Sequence, residues 1–451
     1  MKTRRIYLLT LILLSLIMQG QAQESWKLED CINHALQNNI QIKRSELQEK
    51  VAQQQFTQSA FELGPGISGY FNHQYLNGST FNQYELKFER MENQGGNLGI
   101  SSEITLFNGL YGLNNRARLK YVLESQKQST EILKNNVTLN VVAGFLQVLL
   151  DTETVKLADE QLKLTEEKLT KAEAELKLGK IPQSEYLNLK AQHVNQQAST
   201  TNAKNRLRYS TIELAQLLEL DNPDEFSIEI TPIAISEDPN DLDNKYTYNQ
   251  IAELKPEIKK ERFNVKSAQK SLNMAYGLLS PRISLGYTFG SGYDQSAWYG
   301  PNDNRIAYPD YTYGQQIKDY SQHVLQFRIS VPIFQKFSNL TRINQSKVQL
   351  LDAKYALEEA EKKVYKDVQT AIADARASWD NYTAYSETVK SYKELYNQTS
   401  NKFELGMVNA LDVGVAQNNL IQAEGQLLHA KYTYILRMKI LDFYRGVPIA
   451  L

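Results

Sequence analysis

The sequence predicts a mainly α-helical chain with a small membrane β-barrel portion, built from a duplicated unit. Three observations predict this fold class. Residues 110–178 and 337–405 each run for 69 positions without a proline. Three of four short strand-like segments alternate apolar and polar residues clearly, and the same order of elements occurs twice. We expect the long coiled-coil helices to form an α-helical barrel, and four strands per chain to complete a 12-stranded trimeric barrel.

The chain begins with the pattern of a secretory signal peptide. Lys2, Arg4 and Arg5 precede an apolar run of about 13 residues, and small residues at 20–22 offer a cleavage site. We predict that residues 1–22 are removed as a signal peptide. An inner-membrane anchor is the alternative, although a spanning helix needs about 20 apolar residues. Cys31 does not follow the apolar run in a lipoprotein arrangement, so we expect no lipid anchor.

The composition argues against several functional classes. The sequence carries 50 basic and 51 acidic residues, and loss of the three basic residues of the signal peptide leaves a net charge of about −4. It has no basic patch of the kind that nucleic acid requires. One cysteine cannot form an internal disulfide, and the five histidines lack metal-ligand spacing. No nucleophile–base pair or phosphate-binding motif is present, so we expect neither an enzyme nor a cofactor.

Self-comparison shows an internal duplication. Ile42-Lys43 matches Ile258-Lys259 at an offset of 216, and Leu106-Phe107 matches Ile333-Phe334 at an offset of 227. The second offset is kept as far as Leu214 and Leu441. The two halves therefore share one plan, with 11 extra residues between 288 and 324. Only two copies exist, which indicates a duplicated unit rather than a solenoid.

Each unit is predicted to run helix, strand, loop, strand, long helix, tight turn, helix. We assign the first repeat to residues 23–220 and the second to 246–451. Residues 221–245 are rich in proline and aspartate and are predicted to be an equatorial connector with at most one short strand. The first helix is expected over 28–63, because Gly64-Pro65 ends it.

The strand segments have the length and pattern of membrane strands. In 98–106, 283–289 and 325–333 one face is apolar and the other is small or polar, whereas the alternation in 67–75 is poor. About nine or ten residues suffice for a tilted strand to cross a bilayer. The alternative is an amphipathic strand in a soluble sandwich, but no further strands are predicted to build a second sheet. Residues 76–97 and 291–323 are expected to be exposed loops.

Four strands cannot close a barrel, and an open edge is not tolerated in lipid. The chain is therefore expected to oligomerise. Three copies give twelve strands. Two copies give eight, but a barrel that narrow is filled by its own side chains.

The long helices carry heptads. Val155, Leu162, Leu169 and Leu176 recur every seven residues, and the second copy keeps this phase from Tyr382 to Phe403. The returning helix of the second unit places Ala416, Ala423 and Ala430 at d positions, where small residues allow close approach. We interpret these stripes as helix packing and not as a ligand site.

The helix lengths agree in pairs. Helices predicted over 183–220 and 29–63 together match the long helix 110–178, and the same holds for 410–444, 247–279 and 337–405. Two shorter helices stacked end to end would therefore run beside one long helix. The strand-bearing ends would then lie in the membrane, and the turns at Gly179 and Gly406 about 100 Å away.

The chain resembles the outer membrane efflux protein (TolC) family over essentially the whole mature sequence. The order and spacing of its motifs carry the resemblance, more than any single motif. These are the start at 28–42, the strand-to-helix motifs at 106–109 and 333–336, and the turn motifs at 178–185 and 403–412. The resemblance implies a homotrimeric outer-membrane channel with its helical tunnel in the periplasm, acting as the exit duct of tripartite efflux or type I secretion. It implies as partners a periplasmic adaptor, an inner-membrane RND or ABC pump, and outer-membrane lipid.

The resemblance also implies functional residues at the turns. Asp412 and Glu185 match acidic positions at the channel constriction, where Asp412 is alternatively a solvated acid at a helix start. The position of a second ring acid holds Val415, and two positions of polar links hold Val408 and Phe403. The gate is therefore expected to be closed by fewer polar links, and to be less cation-selective, than in the best-known member of the family. The periplasmic tip that would dock the adaptor comprises Leu178, Gly179, Lys180, Leu405, Gly406 and Met407. A soluble periplasmic coiled-coil scaffold or adaptor is the alternative function.

Overall fold

The protein is described here by a computed structural model covering residues 25–82, 86–223, 226–230, 235, 255–299, 305–307 and 312–447. The predicted signal peptide and most of the predicted connector lie outside these residues. The elements in chain order are α1 (Leu28–Asn38), α2 (Ile40–Phe61), β1 (Gly66–Asn82), β2 (Lys87–Phe107), α3 (Tyr111–Lys177), α4 (Gln183–Leu217), α5 (Pro256–Gly277), β3 (Arg282–Tyr299), β4 (Arg305–Ala307), α6 (Tyr313–Asp319), β5 (Gln322–Ser330), α7 (Ser338–Glu404) and α8 (Ala410–Arg445).

The two long helices are present. α3 and α7 have 67 residues each, within one residue of the predicted boundaries at every end. Two consecutive residues with positive φ precede each helix, Gly109-Leu110 before α3 and Lys336-Phe337 before α7. The same backbone turn therefore starts both long helices, as the duplication predicts. In the described residues, no helix combines the length and the apolar character needed to cross a membrane.

The chain forms two compact units. The first unit comprises the described parts of 1–46, 129–258 and 361–451. Its main core surrounds Phe145 and Leu149 of α3, which are 2% and 1% exposed, and includes Leu214 and Leu218 at the end of α4. Cys31 is buried in the same core, and this burial raises the pKa of its thiol.

The predicted heptad seam of the second copy is confirmed in this unit. Ala416, Ala423 and Ala430 are all buried, as d positions should be. The rings of Tyr382 on α7 and Tyr434 on α8, both at a positions, stack with centroids 6.3 Å apart. The aromatic and small residues of these stripes therefore serve helix packing.

Helix ends meet inside the first unit where the stacking hypothesis requires them to. The backbone N–H of Ile40, at the start of α2, donates to Oε1 of Glu219 just beyond α4, at 3.2 Å. At the matching place in the second copy, Nζ of Lys255 donates to the carbonyl oxygen of Phe443 near the end of α8, at 3.3 Å. The nitrogen also lies 4.1 and 4.6 Å from the ring centroids of Phe443 and Tyr444.

The second unit comprises 47–128 and 259–360, within which the sheet lies. Its strands pair antiparallel in the order β1, β2, β3, β5, and the short β4 pairs with the far part of β3. In register, Ile104, Leu285 and Phe327 stand side by side across the sheet. One position along, the register aligns Glu103, Gly286 and Gln326 on the opposite face. The predicted apolar and polar faces are therefore confirmed.

Two loop predictions were wrong. Residues 76–82 and 87–97 extend the hairpin, since β1 and β2 pair without interruption from Gly66↔Glu103 to Asn82↔Lys87. Backbone ladder bonds do not depend on side chains, so residues without an apolar alternation can still pair. Within 291–323, β3 continues to Tyr299, and β4 and α6 follow among the described residues.

The first predicted helix, 28–63, is broken at Asn39. The backbone of Asn39 is non-helical, and its Oδ1 accepts hydrogen bonds from the N–H groups of Gln41 and Ile42 at 3.0 and 3.3 Å. Asn39 therefore acts as a cap for α2, which asparagine does readily. The possible short strand in the connector is a single bridge, Trp26↔Ile228.

Candidate functional site

The predicted site residues lie on and beside two helix turns of the first unit. The turn at 178–182 joins α3 to α4, and the turn at 405–409 joins α7 to α8. Gly179 and Gly406 adopt φ values of 67° and 71°, a region that favours glycine. Each glycine is the left-handed residue that ends a long helix, as predicted.

The same pair of backbone hydrogen bonds closes both turns. In the first, the N–H groups of Gly179 and Lys180 donate to the carbonyls of Leu176 and Glu175, at 3.0 and 2.9 Å. In the second, Gly406 and Met407 donate in the same way, to Phe403 and Lys402, at 2.9 Å each. This is the Schellman arrangement, which satisfies the last carbonyls of a helix without help from other segments.

The turns expose apolar side chains. Leu178 is 69% exposed, Leu405 75% and Met407 69%, and Gly179, Lys180 and Gly406 are exposed as well. A Cβ built on either glycine meets no atom within 4 Å. The six predicted tip residues therefore form two open surfaces in the chain, and apolar side chains at such a position are typical of an interaction surface.

Asp412 is engaged in a helix cap. Its backbone N–H donates to Oδ1 of Asn409 at 3.0 Å, and its carboxylate accepts from the N–H of Asn409 at 3.2 Å. This reciprocal pair is a capping box at the start of α8. The carboxylate is exposed and stands in the first turn, where negative charge is favoured. The helix cap therefore accounts for an acidic residue at position 412, and a role in the channel constriction would be additional to it.

Glu185 has the matching place in the first turn but lacks the matching cap. The residue before α4 is Pro182, which makes no side-chain capping bond. Glu185 is half-buried in the first turn of α4. Among the described residues, no hydrogen bond or ion pair joins the side chains of Glu185 and Asp412. Val415, at the position of the second ring acid, is 52% exposed.

Polar contacts that the sequence analysis missed link the helices behind the turns. Nζ of Lys168 on α3 donates to Oε1 of Gln417 on α8 at 2.5 Å, and Nε2 of Gln417 donates to Gln161 at 3.4 Å. Burial lowers the pKa of Lys168. Gln161 and Lys168 occupy g positions of the α3 heptad, and Gln417 an e position of α8. These are the places where helix partners form polar pairs, so the heptad marks the positions, but it does not say which residues of α3 and α8 pair.

A partly buried carboxyl lies further along the same helices. Glu424 on α8 has a buried Oε2 without a hydrogen-bond partner among the described residues. Burial raises the pKa of this carboxyl, nearby Lys393 opposes the shift, and Glu160 adds to it. No group of histidine, cysteine or acidic residues in the described part of the chain could hold a metal ion.

Comparison with known proteins places this geometry in context. The family model described as outer membrane efflux protein matches residues 31–219 and 247–444. The chain is 21% identical over 319 residues to the outer membrane protein TolC of Salmonella enteritidis, covering 69% of this chain and 61% of that protein. It is 23% identical over 419 residues to TolC of Vibrio cholerae, covering 91% of this chain and 88% of the relative.

A solved structure has the same fold. A membrane protein from Pseudomonas aeruginosa superposes with a TM-score of 0.79 at 15% identity. The superposition covers 94% of this chain and 92% of the other. The sequence matches and this structure therefore extend over most of the chain, and the residues matched by the family model include the two helix turns.

Proposed function

The chain belongs to the outer membrane efflux protein family, and from this premise we propose that three copies of it form one export channel. The chain is an outer-membrane protein and not an enzyme. Channels of this family work with a periplasmic adaptor and an inner-membrane pump. This channel would be the exit duct of a tripartite efflux or type I secretion system, passing small molecules or polypeptides to the exterior. Residues 1–22 would be a cleaved signal peptide, and repeats 23–220 and 246–451, joined by the connector, would build the wall.

The observation that carries the trimer is the pair of open sheet edges. Among the described residues, β1 and β5 each pair with one strand only, on the inner side of the sheet. These two edge strands run in opposite directions, because the strand direction alternates along the order β1, β2, β3, β5. The β5 edge of one copy can therefore pair antiparallel with the β1 edge of the next copy. Three such joints close twelve strands and leave no edge in lipid.

The two faces of the sheet support a place in the membrane. Leu325, Phe327 and Ile329 of β5 are 73%, 61% and 57% exposed on the apolar face. Lipid tails would cover these side chains, whereas the face with Glu103 and Gln326 would line the lumen. A soluble periplasmic scaffold gives no reason for such a face.

The trimer is testable on gels. The detergent-extracted chain should run unheated at about three times the mass of the heated chain. The double substitution Leu325→Lys, Phe327→Lys places charge on the lipid face beside the joint and should remove the trimer band. Gln326→Lys on the other face of the same strand is the matched control and should keep it. Extraction without detergent, or identical heated and unheated bands for the native chain, would contradict the proposal.

The two turns would dock the adaptor. Their apolar side chains, together with Lys180, are exposed on two surfaces that the other described residues leave uncovered. Leu405→Glu and Met407→Glu should each reduce capture of a periplasmic adaptor by the solubilised channel at least tenfold. Leu395→Glu, at a leucine of α7 that is 46% exposed, should not. Equal capture of the adaptor by all three variants would contradict the docking role.

Asp412 and Glu185 would narrow the periplasmic end. Three Asp412 carboxylates around one axis would raise the local cation concentration. Asp412→Asn keeps an oxygen for the cap and removes the charge, so block by multivalent cations in single-channel recording should weaken. Asn409→Ala removes the cap and keeps the charge, so block should persist. Unchanged block in Asp412→Asn would exclude the ring.

A further inference from the structure

A polar groove crosses three helices of the second unit. It is a cavity of about 380 Å³ between α3, α5 and α7. Tyr111, Asn115 and Arg118 line it from α3 at spacings of four and three residues, which places them on one helix face. Arg342, Gln345 and Gln349 line it from α7 in the same way. One face of α3 and one face of α7 therefore form two walls of the groove.

Its charge is positive. Arg118 and Arg342 both line the groove, and no carboxylate does. A guanidinium carries five N–H donors and no acceptor, and it suits phosphate and carboxylate oxygens. Among the described residues, Arg342 makes no hydrogen bond or ion pair, so its donors are available to a ligand.

Arg118 is held in place beside it. Its Nε and Nη2 donate to Oδ1 of Asn115 at 3.3 and 2.9 Å. Nδ2 of Asn115 donates in turn to Oε2 of Glu62 at 3.5 Å, from outside the groove lining. This chain of contacts fixes one edge of the guanidinium, and the remaining N–H donors of Arg118 have no hydrogen-bond acceptor in the part of the chain that the structure describes. A donor fixed in advance loses less entropy when an anion binds.

The floor of the groove is apolar. Met274, Ala275 and Leu278 line it from α5 and the residue after its end. A second cavity of about 340 Å³ shares Tyr111 and Leu278 with the first and continues to Arg282 at the start of β3. The groove thus offers cationic donors together with apolar side chains at the end of α5, and the second cavity continues from it toward the start of β3.

We propose that this groove is an anion-binding site for a phosphate monoester or carboxylate attached to a short apolar chain. The guanidinium groups of Arg118 and Arg342 take the anionic head, and the chain lies on Met274 and Leu278. All lining residues belong to one unit of one chain, so the site does not require the trimer. The head could belong to a bilayer lipid or to a free amphiphilic anion, and the experiment separates these sources.

The test uses the purified full chain in a neutral maltoside detergent, titrated calorimetrically with hexyl phosphate. Arg118→Gln and Arg342→Gln should each weaken binding at least fivefold, and the double variant at least twentyfold. Arg116→Gln removes one charge from the same helix outside the groove, where the Arg116 guanidinium lies 5.5 Å from the ring of Phe56. This control should stay within twofold. Inorganic phosphate should bind more weakly than hexyl phosphate, because it has no apolar chain to contact Met274 and Leu278.

Native mass spectrometry of the same samples identifies the source. Retained phosphatidic acid, a lipid with a phosphate monoester head, that the double variant loses would assign the site to lipid. Hexyl phosphate binding without retained lipid would assign it to a free anion. The proposal fails if neither ligand binds, or if Arg116→Gln weakens binding as much as the groove variants do. Circular dichroism melts confirm that each variant is folded.

Discussion

At the residue scale, the left-handed glycines of the two turns have a purely conformational role. No atom lies within 4 Å of a Cβ built on Gly179 or Gly406, so alanine would cause no clash there. The cost of alanine would be the strain of positive φ, about 1 kcal/mol. Gly179→Ala and Gly406→Ala should each lower stability by that amount in a thermal melt.

Gly425 provides the control for this prediction. It lies within α8, where a Cβ also meets no atom within 4 Å, and it has no positive φ. Gly425→Ala should therefore stabilise the chain by about 0.5–1 kcal/mol through helix propensity. A loss of stability on all three substitutions would show that the turns are not the cause.

Glu424 gives the chain a pH dependence at the same scale. Because its pKa is raised in the folded state, the folded chain keeps a proton that the unfolded chain releases. Its contribution is therefore most favourable below the unfolded pKa, about 4.3, and declines as pH rises through the folded value.

Glu424→Gln should remove this dependence. The variant should melt at a higher temperature than the native chain at pH 7, by a small free energy on the order of 0.5 kcal/mol, since solvent screens a partly exposed group. The difference should disappear near pH 4. Glu167→Gln, at an exposed position of α3, should show no such convergence. A gain that is constant with pH would contradict the assignment.

At the element scale, the turn from β2 into α3 depends on two glycines in contact. A Cβ on Gly109 would lie 2.3 Å from the carbonyl oxygen of Gly277, and a Cβ on Gly277 would lie 2.5 Å from that of Gly109. Backbone atoms cannot give way as a side chain does. The end of α5 and the start of α3 can therefore approach this closely only without side chains at both positions.

Gly109→Ala should accordingly cost more than Gly179→Ala. Both residues have φ of 67°, so the backbone strain is the same, and the difference isolates the clash. We expect Gly109→Ala to lose at least about 2–3 kcal/mol more, as severe overpacking does. Thermal melts of the two variants side by side give the comparison, and equal losses would refute the close contact.

Sequence reasoning predicted those elements whose signals are local. A proline-free run, a heptad and a terminal glycine fixed α3 and α7 to within one residue. The extension of the β1–β2 hairpin was missed, because pairing of 76–82 with 87–97 depends on the partner strand and not on alternation. The break at Asn39 was missed because one side chain competes with the helix there. For the site, the turns were predictable, whereas the Lys168–Gln417 contact needs a register between distant helices.

At the scale of the whole molecule, stability is concentrated in buried helix contacts and not at the turns. Phe145 is 2% exposed in the main core of the first unit, whereas Leu178 is 69% exposed. Phe145→Ala should cost about 3–5 kcal/mol, and Leu178→Ala should stay within about 0.5 kcal/mol. Denaturant or thermal unfolding measures both. A large loss at Leu178 in the isolated chain would mean that the turn is covered within the protein.

The two helix joints have a consequence for how the halves diverged. By the offsets of the duplication, Ile40 corresponds to Pro256 and Glu219 to Gly446. In the first half, the N–H of Ile40 needs an acceptor, and Oε1 of Glu219 accepts this hydrogen bond. The backbone of Glu219 has a strained φ of 56°. In the second half proline has no N–H, so no acceptor is needed and glycine takes the left-handed position at φ 75°. The two positions of each joint therefore changed together within their half. Exchanging only the start of α2 for that of α5, without the matching end of α4 for that of α8, would leave a joint mismatched.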